Sequence, residues 1–599
     1  GQIKVGTNNA LLNTGAVTIN GLGTGSNIGD LVIANSVSQT IGTLIGNANS
    51  RISTVSSGSL TVTQGADQTF AGIIRGNGSF TKAGNSALTL SNDNDHRGTL
   101  TISAGTLTVS GTLHDTSDIV VNGGTYDVDA SDTVRSISGA GAVEIASGQT
   151  LTTGDRGNDT ISGVISGEGS LTKAGTGTLT LSANNTYTGA TTISAGSVKV
   201  TGTLSDSTAV SVGTNGVYDV DGTDTIASIA GAGIVDVAPG ITLSAGNNST
   251  ATTFSGTLRS SQVYTDGVVS TAFGSFTKVG SEALTVSGTI GQLSQLTISA
   301  GSLTLGGDNI INDATPISLT DATGAVVDLD GNNETIGSLS GGGANGGNIT
   351  LGAGALTIDQ RSNGTYDGVI SGTGSVTKTG VAALTLTRAN TYSGGTTINR
   401  GQIKVGTNNA LLNTGAVTMN GTGATDLVLA DGISQTIGTL SGTNSNAMLN
   451  LLGSSSLTIT QSSNTNFAGN IRGDGSLVKN GSSDLTFTNA VDKHTGLTTI
   501  NAGSLVYANN SEIGAVTIAN VAGATLDING GTTTIRTLIG NDRSDIDFGT
   551  NGTLIVYQGS DQGYEGTLSG TGTISKRGSG KINRFGSTIV NGNSNIAGN

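Results

Sequence analysis

The residues that could do chemistry are few and far apart. Three histidines occur in 599 residues, His96, His114 and His494, and there is no cysteine. None of the three has HExxH spacing, and without cysteine there is no thiolate site. His96 and His494 fall at equivalent places in two related segments and read as solvated loop residues, and His114 sits beside Asp115 after a strand. Acidic pairs recur at i, i+2: Asp127 and Asp129, Asp219 and Asp221, Asp328 and Asp330. On a strand that spacing puts both carboxylates on one face and the apolar residues between them on the other. Calcium is conceivable there, but the nonapeptide calcium repeat is absent, so the pairs read as outward and solvated. Gly341, Gly343 and Gly346 spell GxGxxG without a βαβ unit around them, and GSGK at Gly578–Lys581 lacks the rest of a phosphate loop. Arg472, Gly473 and Asp474 spell RGD, the tripeptide that integrins recognise. The same turn reads RGN at Arg75–Asn77, SGE at Ser166–Glu168 and SGT at Ser371–Thr373. RGD is therefore what this turn yields when two permissive positions are Arg and Asp. No catalytic, cofactor-binding or metal-binding set emerges; the tripeptide is the one candidate adhesion motif.

The elements that would position these residues are strands and tight corners. Gly is 98 of 599 residues, with two Pro and 3% aromatics. Val, Ile and Thr recur throughout, so the Gly and Ser do not spell disorder; β-branched residues suit a pleated surface, and Gly supplies corners with φ > 0. Apolar residues alternate, as in Leu179-Thr180-Leu181 and Leu107-Thr108-Val109, which marks strands with one buried face. No window sustains a helical period, and no run of 18 apolar residues exists to span a bilayer as a helix. The net charge of −15 argues against phosphate-backbone binding and against docking on an anionic membrane.

A signature recurs six times, at Gly78–Lys82, Gly169–Lys173, Gly274–Lys278, Gly374–Lys378, Gly475–Lys479 and Gly572–Lys576. Its lysines lie 91, 105, 100, 101 and 97 residues apart. Residues 1–18 recur unchanged at 401–418, and SQTIGTL at Ser38–Leu44 recurs at Ser434–Leu440. One module of about 100 residues is thus reused, and residue 1 starts inside a module, so the chain reads as part of a longer one. Short strands at this spacing fit a solenoid of stacked coils better than a string of sandwiches, whose cores aromatics usually dominate. At about 20–25 residues per coil, residues 1–599 would form one continuous rod on the order of 125 Å long, with strands about 4.8 Å apart.

The segment Gly169–Val200, GSLTKAGTGTLTLSANNTYTGATTISAGSVKV, resembles the autotransporter-associated β-strand repeat, also called the passenger-associated transport repeat. Gly374–Val405 matches it again. The first and fifth copies replace Asn185-Thr186-Tyr187 by Asp95-His96-Arg97 and VDKHTG (491–496), the third loses the Tyr segment, and the last drifts. The resemblance implies an all-β, right-handed parallel β-helix exported to the outer surface of a Gram-negative bacterium. It does not fix what the passenger binds.

The expected function is a structural extracellular fibre or surface passenger, a long stiff scaffold. The alternative is an adhesin that binds host or neighbouring cells through loops, with Ser244–Val269 as the most distinctive stretch. A polysaccharide-cleaving enzyme is the third class, disfavoured by the absence of Trp and by scattered cations. No cofactor is expected. The expected partners are other modules or copies end to end, with cell-surface receptors or glycans under the adhesin reading. Neither nucleic-acid binding nor membrane insertion is expected.

Overall fold

The computed structural model describes residues 1–21, 29–154, 157–261, 264–265, 268–269, 272–421, 425–488 and 493–583. Among them every regular element is a β-strand. The chain divides into two compact units, Gly1–Gln295 and Leu296–Asn599.

Each unit is a parallel β-solenoid. In the first, the strands Ser59–Thr63, Ser79–Ala83, Thr99–Ile102 and Asp118–Val121 lie side by side in parallel. Leu60, Phe80, Leu100 and Ile119 occupy one column, 20, 20 and 19 residues apart, so one circuit takes about that many residues. All four are at most 1% exposed, while Thr61, Thr81 and Thr101 stand outward between them. In the second unit Leu384, Ile403, Leu427, Leu449 and Ile471 form the same kind of column at steps of 19, 24, 22 and 22 residues. Among the described residues, strand pairing is parallel except for the short pair Tyr264–Thr265 and Val268–Val269. The few aromatics also lie in the core: Tyr126, Tyr187, Tyr218, Tyr366, Tyr392, Tyr507 and Tyr564 are fully buried.

Corners need glycine where strands stack closest. Gly473 has φ +100°, and a Cβ there would lie 1.9 Å from the Leu451 carbonyl oxygen of the coil beneath. Gly76 holds the equivalent place with φ +104°. In the duplicated segment, Gly401–Val405 lies between Ala383–Leu386 and Thr425–Leu429, with Ile403 0% exposed, and its copy Gln2–Val5 pairs in the same register with Gly29–Ile33.

Candidate functional site

Strand alternation turns the signature lysine inward. In Ser170–Lys173, Leu171 and Lys173 point into the core and Ser170 and Thr172 point out. Lys82, Lys173, Lys278, Lys378 and Lys479 are all buried in this way. Each ammonium donates to carbonyls at the turn that follows. Lys479 Nζ donates to Asn480 O at 2.9 Å, Gly481 O at 2.8 Å and, one coil on, Ala502 O at 3.0 Å. Lys82 does the same with Ala83, Gly84 and Ala104. The glycine two residues on has positive φ in each copy, +78° at Gly84 and Gly481, which aims its carbonyl at the ammonium. Desolvation pushes Lys82, Lys278, Lys378 and Lys479 down to about 8, against a partial pull upward from a nearby carboxylate. A lysine with a lowered pKa can serve as a nucleophile. Here three carbonyls occupy the ammonium, and its role is to join consecutive coils.

A second polar device sits on the inner side of another corner. Asp132 accepts from Leu113 N at 3.1 Å and from the Tyr126 hydroxyl at 3.1 Å. Asp224 repeats this with Leu204 N and the Tyr218 hydroxyl. Glu334 accepts from Ile310 N at 2.8 Å and Ile311 N at 3.2 Å. Gln39 and Gln435 fill the place with amides, accepting from Leu11 N and Leu411 N. In every case one side chain satisfies a backbone N–H of the coil before it. Burial pushes Asp132 and Asp224 up to about 6 and Glu334 up to about 7, with the N–H donors pulling the other way. The recurring string Gln/Glu/Asp-Thr-Ile/Val could have revealed this set.

The histidines correct the sequence reading. His96 and His494 are not solvated: they lie on the short strands Asp95–His96 and Lys493–His494, and are 1% and 0% exposed. They fill the slot taken by Tyr187 and Tyr392 in the copies with the Asn-Thr-Tyr segment. Those tyrosine hydroxyls bond Thr191 and Thr396, four residues on, and His494 Nδ1 meets Thr498 Oγ1 at 3.4 Å. At the same offset from His96 stands Leu100. His96 packs edge-on to Phe80 at 6.5 Å, and burial pushes it down to about 4. His114 is partly exposed, 3.7 Å from Asp95.

The paired carboxylates face outward, flanking buried Tyr126 and Val128, Tyr218 and Val220, and Val327 and Leu329. Asp127 accepts from Thr108 Oγ1, and Asp219 and Asp221 both pair with Lys199. Among the described residues no three His, Asp or Glu side chains are placed to hold a metal. Gly341 lies at a coil corner with φ +87°, not in a phosphate loop. Arg472 and Asp474 are exposed at the Gly473 corner, and Asp474 Oδ1 accepts from Gly453 N at 2.7 Å. Of the Ser244–Val269 stretch, Thr252–Phe254 and Thr257–Arg259 are ordinary parallel coil strands, and Asp236 of the preceding coil accepts from Arg259 Nε at 3.0 Å and Ser261 N at 2.8 Å. Residues 262–263 and 266–267 lie outside the described residues, as does the side chain of Tyr264.

The family described as passenger-associated-transport-repeat matches at residues 80–109, 171–200, 376–405 and 477–506. Each match opens inside a signature strand and includes its buried lysine. The adhesin BmaC autotransporter of Brucella suis is 30% identical over 506 residues, covering 78% of this chain and 14% of that protein. The probable autotransporter YfaL of Escherichia coli is 26% identical over 239 residues, covering 33% of this chain and 18% of its own length. The chain thus spans less than a fifth of either relative. No solved structure matches.

Proposed function

We infer that this chain, which belongs to the autotransporter passengers carrying the passenger-associated-transport-repeat and works on the outside of the cell, is a display scaffold whose outward side chains bind other surfaces. One observation carries this reading: between duplicated coils the buried lysine and histidine keep their places while several outward residues are exchanged. Lys82 and Lys479, and His96 and His494, keep their places in the core. Outward, Ser53, Asp95 and Arg97 become Asn450, Lys493 and Thr495. The adhesin designation of the Brucella relative supports attachment as the task. Read so, the chain is non-enzymatic, since its perturbed lysines and carboxylates are buried in coil-to-coil bonds. Other modules or copies, end to end, are the partners that the scaffold role implies.

Surface display of the chain in a non-adherent bacterium tests this. Attachment to host cells or to sister cells should appear, and outward substitutions should weaken it at unchanged display. Display without attachment would leave only the scaffold. Recognition at Arg472, Gly473 and Asp474 is a narrower version, favoured by the exposure of both charged residues. Asp474→Glu should then abolish attachment; full attachment by that variant removes the tripeptide from the account.

A further inference from the structure

The second unit carries a row of cations that no carboxylate of the described residues contacts. Lys404, Val428, Asn450, Arg472 and Lys493 are consecutive register partners on neighbouring parallel strands. Lys404, Asn450, Arg472 and Lys493 point outward, because Ile403, Leu449, Ile471 and His494 beside them are buried; Val428 between them is covered. Arg472 and Lys493 are direct neighbours, one strand spacing of about 4.8 Å apart. Like charges in that relation repel. Below them Arg400, Gln402, Lys404 and Asp426 line an open groove of about 430 Å³. Among the described residues none of the four cations has a carboxylate within 4.0 Å. The charged neighbours are Asp426, which accepts from Gln402 Nε2 at 3.3 Å and attracts Arg472 without contact, and Asp474, held by Gly453 N.

The first unit shows that the fold does not require this. There the equivalent row runs Lys4, Val32, Ser53, Arg75, Asp95. Arg75 reaches Asp30 at 3.7 Å, and Arg97 pairs with Asp95 at 2.9 Å. Where the first unit has Asp95, the second has Lys493. In a chain of net charge −15, two adjacent unpaired cations cost stability unless an anion relieves them.

We propose that the Arg400–Lys404–Arg472–Lys493 face binds an acidic polysaccharide, laid along the solenoid axis with its carboxylates or sulfates on the cations. Lys404, Arg472 and Lys493 stand in a single row, with Arg400 in the groove below and amides beside them, which suits an extended sugar chain bearing both anions and hydroxyls. The row holds no aromatic side chain on which bases could stack, as single-stranded nucleic acid would need. The proposal rests on the outward-binding reading above, but its test uses purified protein, so failure leaves surface display and cell attachment to be judged separately.

Immobilised polygalacturonate, with neutral dextran as control, is the probe. The chain should bind the polyuronate and not the dextran, more weakly as salt rises. Arg472→Gln combined with Lys493→Gln should lower affinity about tenfold or more, the equivalent of ~1.4 kcal/mol. Lys493→Asp, which restores the charge found at Asp95, should do likewise with an unchanged or higher Tm. Asp474→Asn should leave binding intact, which separates this face from the Arg-Gly-Asp reading. Undiminished binding by the double variant at wild-type Tm would overturn the proposal. So would equal affinity for duplex DNA or for anionic phosphatidylglycerol vesicles.

Discussion

Glu334 is, with Asp132 and Asp224, a carboxylate member of a series that Gln39 and Gln435 fill with amides. Its carboxyl, raised by burial to about 7 from an ordinary 4.5, is favoured as the protonated form in the folded state. Its contribution to stability is therefore full below pH 4.5 and is lost as pH rises through 7. Glu334→Gln should raise the Tm at pH 8, leave it nearly unchanged at pH 4, and flatten the profile between; an equal shift at both would show that burial does not set this carboxyl. The buried lysines have the opposite sign. Lys479, lowered to about 8 from 10.5, contributes stability that is full above pH 10.5 and is lost as pH falls through 8. Lys479→Met removes that dependence but strands the carbonyls of Asn480, Gly481 and Ala502. An unsatisfied buried acceptor costs about 1–3 kcal/mol, so net destabilisation at pH 7 is expected in denaturant titrations.

Strand phase is the rule that positions every one of these groups. Leu179 is 1% exposed and Thr180, the next residue, faces out between Thr160 and Lys199. Leu179→Asp puts an unpaired charge among apolar neighbours and should cost more than the ~2–5 kcal/mol of an ordinary core truncation. Thr180→Asp, beside Lys199, should be close to neutral; comparable losses in chemical denaturation would refute the assigned phase. That phase was readable from the alternation of Leu and Thr alone, and so were the outward carboxylate pairs, whereas the stacked coils were read from the repeats and their parallel pairing from the family resemblance. The inward lysines and histidines were not, although the same alternation reaches them: counting two residues from Leu171 lands on Lys173. What hid them is that a lysine or histidine is ordinarily read by its polarity. Its partners are backbone carbonyls from the next turn and the next coil, which leave no trace in residue type. His96 and His494 were legible only through the tyrosines that take their slot in other copies.

At the scale of the molecule, the repeat that fixes the interior leaves the exterior free to diverge. A match to four copies, each built around a buried lysine, identifies the scaffold. The exchange of Asp95 for Lys493 then changes the surface field of one copy without touching its core. A reagent raised against the outer face around Asp95 should therefore fail to recognise the face around Lys493, although the two copies share a buried histidine beside it.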